Sequence, residues 1–193
     1  LKEISGGLGQ KSPADAEIEI LNSRMVLGKV INDLNLNIKV LDSKNTALGR
    51  LMSAEQGQLK FDAQGVSYST QQQHFLIKQL DVPNYYLDKN LTLTFKPDNK
   101  FTLSYKDKVL VEGLLNKTNQ FNDTNGTWKI NISSQNPFEQ DFIISKLSLP
   151  SAVKALKLNY GVAEKGKMTG VIGLNYSGED KQHITNVLNH VLA

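Results

Sequence analysis

From about Leu59 to Leu149, apolar residues of this 193-residue chain recur at every second position. A period of two sustained that long restricts the stretch to strands whose alternate side chains face a core. Leu59, Phe61 and Ala63 alternate, and Phe75 to Val82 reads as a strand ended by Pro83-Asn84. Leu91, Leu93 and Phe95 are answered by Phe101, Leu103 and Tyr105 across the turn Lys96–Lys100, a hairpin signal. Lys106-Asp107-Lys108 turns into Val109 and Val111. Trp128, Ile130 and Ile132 alternate after Asn122–Gly126, and Phe142 to Leu149 closes the series. About seven strands with frequent turns predict an antiparallel β-sandwich or a partly open barrel.

Helical periods flank this run on both sides. Ser12-Pro13-Ala14-Asp15 is a helix start, with Ser as cap and Pro at the first helical position. Beyond it Ile18, Leu21 and Met25 form one stripe, and Leu27, Val30, Ile31 and Leu34 form another, rotated round the axis. Either the helix bends near Gly28, or it touches two different partners. The second option makes Arg24, Leu27 and Ile31 candidate oligomer contacts. Leu36 to Leu41 predicts a strand, and Ala47–Met52 a helical turn. Val153, Leu156 and Tyr160 share a helical face, and Tyr160–Ala163 predicts a strand. Val171, Ile172, Leu174 and Tyr176 form a further buried strand. Ser177-Gly-Glu-Asp180 then reads as a capping box opening a helix with Ile184, Val187, Leu188 and Val191 on one stripe. The fold class is therefore α+β. Residues 1–56 and 150–193 form an α/β base from both chain ends, with an antiparallel sandwich or barrel-like module inserted at 57–149.

Little here favours catalysis. There is no cysteine, which excludes disulfides, thiol chemistry and Cys-ligated zinc. The net charge of +3 is too mild to argue for nucleic acid. No apolar run approaches the roughly 18 residues of a membrane-spanning helix, and the chain reads as an excised soluble piece. Gly6–Ser12 glances at a phosphate-binding loop, but Gln10 separates Gly9 from Lys11 and no strand precedes it. His183 and His190 lie seven apart on the last helix, too far to share a metal, and His74 has no marked acid partner. Glu17 and Glu19 point to different faces. Glu139/Asp141 and Glu179/Asp180 have structural explanations, as a loop and a helix start. No catalytic, cofactor or metal residue is assigned. Exposed aromatics on a β module could stack on sugars. Trp128 is expected in the core, while Tyr85 and Tyr86, after Pro83-Asn84, are the candidate glycan contacts.

Two long motifs carry a resemblance. Glu164-Lys-Gly-Lys-Met-Thr-Gly170, the following strand and Ser177–Asp180 resemble the distal end of the Wzz-type domain of Wzc-like bacterial tyrosine kinases, and Ala16 to Leu36 resembles that family's first helix. The resemblance implies a polysaccharide co-polymerase held in the inner membrane by two flanking helices, with this domain in the periplasm. It implies a ring-like homo-oligomer that controls capsular or exopolysaccharide chain length and export. The implied partners are the polymerase, an outer-membrane export protein and the nascent polysaccharide. It also implies a cytoplasmic kinase region using ATP and Mg and phosphorylating a tyrosine-rich tail. None of that region's motifs occurs in this sequence, so the piece itself is expected to be a scaffold. A carbohydrate-binding β module is the alternative function.

Overall fold

The computed structural model describes residues 13–42, 57–136, 138, 141–166, 168–178 and 180–193. The readings at 6–12, at 47–52 and at Glu139 and Glu179 lie outside them.

Ten strands form the inserted module: β1 (Ile38–Asp42), β2 (Gln58–Asp62), β3 (Gly65–Ser69), β4 (His74–Asp81), β5 (Leu91–Lys96), β6 (Lys100–Tyr105), β7 (Lys108–Leu114), β8 (Thr118–Asp123), β9 (Gly126–Asn136) and β10 (Phe142–Lys146). They make two antiparallel five-stranded sheets, ordered β1-β10-β5-β6-β7 and β2-β3-β4-β9-β8. The sheets face each other as a sandwich rather than closing into a barrel. Between them lie Trp128, Phe75, Phe101, Phe142, Leu91, Leu93, Ile77 and Ile132, all wholly buried. Tyr68, Phe75, Phe138 and Phe142 stack and edge one another at 4.9 to 5.7 Å. Each such side chain contributes about 1.5–3 kcal/mol through burial.

Turn chemistry sets the registers. Asp98 and Asn99 (φ 59° and 55°), and Lys106 and Asp107 (φ 48° and 63°), supply the paired left-handed residues that tight hairpins need. The alternation fails at Val109, which is 56% exposed. A bulge between β6 and β7 leaves Leu110 unpaired, so the side chains before it point the other way.

The base contains α1 (Pro13–Leu21), α2 (Arg24–Asp33), α3 (Leu149–Lys157), the hairpin β11 (Tyr160–Glu164) with β12 (Ile172–Tyr176), and α4 (Lys181–Leu192). Its core joins both chain ends: Leu27, Val30, Ile31 and Leu34 of α2 meet Ala152, Val153 and Leu156 of α3 and Val187 and Val191 of α4. Four sequence expectations change here. The single helix expected from Ser12 onward, bent or not, is two helices broken at Asn22-Ser23, where the Ser23 hydroxyl accepts the Val26 N–H at 3.2 Å. The fourth helix begins at Asp180, not Ser177. Asp180 Oδ1 accepts the N–H groups of Gln182 and His183, whereas the Ser177 N–H goes to the Asn159 carbonyl. Strand β12 is only half-buried, with Val171 beside it 55% exposed. Residues 38–42, grouped by sequence with the base, pair with β10 and belong to the first sheet.

A polar joint connects base and sandwich. Asn37 accepts the Leu147 N–H at 2.7 Å through its carbonyl and Lys146 Nζ at 3.0 Å through Oδ1. Asp88, at φ 61°, donates its N–H to the Lys146 carbonyl, and its carboxylate accepts the N–H of Ser148, the cap of α3. Burial pushes the Asp88 carboxyl up, but hydrogen bonds from Ser148 outweigh it and hold the group below its ordinary range.

Candidate functional site

Three surface regions hold the residues that the sequence singles out. The first is the corner after Pro83, where a 3-10 turn (Asn84–Tyr86) carries two adjacent tyrosines. Tyr85 is 56% exposed. Lys89 Nζ sits 3.0 Å above its ring centroid, and 5.4 Å from that of Tyr105. Tyr86 turns inward: it is 5% exposed, packs on Trp128 at 4.7 Å, and its hydroxyl accepts from Asn125 Nδ2. Burial, with the Asp123 carboxylate nearby, raises its pKa. The pair is thus split by the period of the turn, leaving Tyr85 as the glycan-contact candidate and correcting Tyr86 to a core residue. Trp128 is core as expected, its indole donating to Asp123 Oδ2 at 3.0 Å.

The second region is the helical face of the base. Arg24 is exposed, but Leu27 and Ile31 are fully buried against α3 and α4 within this one chain. Neither offers surface to a neighbour, which corrects both as oligomer contacts. The break at Ser23 explains this, because it re-phases α2 and turns the Leu27–Leu34 stripe wholly inward. It also turns Met25 outward, 80% exposed, with Ile20 of α1 at 56%. Leu149 lies over Gly28, its Cδ1 3.3 Å from where a β-carbon would stand, and is itself 43% exposed. Sequence reasoning placed Met25 on one helical stripe with Ile18 and Leu21; the Asn22-Ser23 pair was the signal of the break that separates it from them.

The third region is the seam between α4 and the sandwich. His183 packs on Phe61 of β2 at 5.5 Å and on Tyr176 of β12 at 5.7 Å, and its Nε2 lies 3.4 Å from the Tyr176 hydroxyl. Its Nδ1 is buried without a partner among the described residues. Burial pushes the imidazole pKa down, against a weaker upward pull from Asp180. Leu36, Ile38, Ala152, Ala155 and Leu156 complete an apolar crevice beside it. His190 instead bonds the Asn186 carbonyl, and His74 stands exposed on the outer sheet face. No group of three or more metal-capable side chains occurs among the described residues.

A family model described as the N-terminal domain of tyrosine-protein kinase Wzc matches residues 38–147. The chain belongs to this family. The matched span runs from the first residue of β1 to the residue after β10, so it encloses the sandwich, β1 included. The chain is 42% identical to tyrosine-protein kinase ptk of Acinetobacter johnsonii over all of its length and 26% of that protein's. It is 33% identical to the putative tyrosine-protein kinase AmsA of Erwinia amylovora, over all of this chain and 24% of that one. Against tyrosine-protein kinase wzc of Salmonella typhi it is 29% identical, over 99% of this chain and 25% of that protein. It spans about a quarter of these curated relatives.

These alignments run through both helical ends as well as the sandwich, so the Wzc-type relationship covers the base and its exposed faces. No described helix is long and apolar enough to cross a membrane.

Proposed function

We propose that this chain is the periplasmic domain of an inner-membrane tyrosine autokinase acting as a polysaccharide co-polymerase. It serves as an assembly scaffold that controls chain length and export of capsular or exopolysaccharide. The polymerase and an outer-membrane export protein are its partners. ATP and Mg act in a separate cytoplasmic region of the full-length protein, not in this domain. The observation that carries the reading is membership in the Wzc N-terminal family, and the exposed apolar side chains of the base support it. Ile20, Met25, Leu149, Leu158, Met168, Val171 and Leu192, all on the base, stay 40% or more exposed. Apolar side chains left at that level on helices and a hairpin suit lateral packing between copies.

The test uses full-length protein in membranes of a polysaccharide-producing host. Ile20→Asp with Met25→Asp is expected to shift the polysaccharide length distribution on gels and to weaken the cross-linked oligomer. Unchanged length and unchanged cross-linking, with the protein folded and present at normal level, would overturn the reading.

A further inference from the structure

On the outer face of the second sheet, strands β4 and β9 are interrupted twice. Between Ile77 and Gln79 the register leaves Lys78 without a partner, and between His74 and Phe75 it leaves Gln135 without one. Bulges re-aim side chains and bend the strand. Here both extra residues line one depression of about 520 Å³, with Leu76 and Ser133 on its floor and Asn116 on its wall. It continues past His74 and Gln135 into a smaller hollow of about 250 Å³ lined by Gln71, Gln72 and Asn136. The larger depression falls in the range of ligand sites, about 300–1,000 Å³.

Hydrogen bonds within the protein hold the wall of the trough in place. Asn116 Nδ2 donates to the Ser134 carbonyl at 3.0 Å and its Oδ1 accepts the Ser134 N–H at 3.2 Å. The Ser134 hydroxyl, on a residue 3% exposed, donates to the His74 carbonyl at 2.8 Å. Thr70 closes the far end by accepting the N–H groups of Gln72 and Gln73. Lys78, by contrast, forms no ion pair among the described residues. Every polar residue lining the two hollows is an amide, a hydroxyl, His74 or Lys78, and no carboxylate lines either. Amides and hydroxyls match the hydroxyl groups of a sugar. An unpaired ammonium without a competing carboxylate selects an anionic one.

We propose that the trough between the Lys78 and Gln135 bulges binds a carboxylate-bearing segment of polysaccharide. This rests on the polysaccharide reading above and names the class of glycan and the face that meets it. Lys78 pairs with the uronate carboxylate, while Gln135, Ser133 and the glutamines at 71–72 bond the ring hydroxyls.

The experiment follows amide shifts of the isotopically labelled 193-residue chain during titration with a hexagalacturonate, and separately with maltohexaose. The acidic oligomer is expected to move amides in 70–78 and 133–136 and to lose its effect in high salt. Maltohexaose is expected to bind at least about tenfold more weakly, as is hexagalacturonate to Lys78→Glu, the size of one lost charge-assisted contact. Lys106→Glu, at the aromatic corner, should bind normally, which controls for net charge. Absence of shifts, equal binding of the neutral oligomer, or shifts centred on Tyr85 would each overturn the assignment. If the trough fails while Ile20→Asp with Met25→Asp still alters chain length in cells, the glycan site falls and the scaffold reading stands.

Discussion

The Tyr160 hydroxyl donates to the Leu21 carbonyl at 3.2 Å, tying the first residue of β11 to the last residue of α1 across 139 positions of sequence. A carbonyl in the last turn of a helix has no partner along the helix, so it must find one elsewhere. Burial raises the Tyr160 pKa, which keeps the phenol a donor at all ordinary pH values. Tyr160→Phe removes the donor and keeps the ring. The expected loss is about 1 kcal/mol in urea unfolding, with the α1 amides losing hydrogen-exchange protection first.

Gly65 and Gly28 predict opposite results for the same change. A β-carbon on Gly65, at φ 139°, would overlap the carbonyl oxygen of Ile77 on the neighbouring strand, and backbone cannot step aside. Gly65→Ala is expected to cost about 3 kcal/mol or more in chemical denaturation. On Gly28 the same atom meets only the half-exposed tip of Leu149 at 3.3 Å. Gly28→Ala should be neutral or raise stability by up to about 1 kcal/mol, because a mid-helix glycine is the worse helix former.

Stability should fall with mild acid through His183. Its folded pKa lies below the unfolded value of about 6.5. Between the two values the unfolded chain binds the extra proton, so stability is complete above about pH 6.5 and declines as pH drops toward the folded pKa. The groups facing the ring are Tyr176 and Asp180, with Lys39 lining the same crevice. His183→Phe should flatten urea-unfolding stability between about pH 7.5 and 5. An NMR titration showing an ordinary imidazole pKa in the folded chain would contradict this.

At stronger acid the carboxylates take over. Burial pushes Asp123 up, but hydrogen bonds from the Trp128 indole and the backbone N–H groups of Asn125 and Gly126 outweigh it and hold the group below its ordinary value. Its contribution is complete above the unfolded pKa of about 3.9 and is lost as pH falls through the folded one. Asp123→Ala should lower stability at pH 7 and shrink the further loss on acidification to pH 2, followed by Trp128 fluorescence.

Much of the sandwich was legible because period-two burial has few solutions. Leu91, Leu93, Phe101 and Leu103 had to share one face, and all four are wholly buried. Val109 escaped because a bulge is a property of two strands together, invisible in either alone. The base was legible as a layer joining both ends, but not its caps. Ser177 and Asp180 are both acceptable caps by residue type, and it is the Asp180 carboxylate that accepts the first free N–H groups of the helix. The surface candidates were hardest. Tyr85 and Tyr86 differ by one step round a short turn, and local sequence does not say which faces Trp128.

The ladder between β1 and β10 has a mechanical consequence. Ile38 lies opposite Lys146 and Asp42 opposite Phe142, so the chain enters and leaves the module side by side at one end. Tension drawing those two ends apart would load the rungs singly, opening from the Ile38 side like a zip rather than sliding all five at once. Asn37, clasping Leu147 and Lys146 just outside the first rung, is the catch that such a force would meet first.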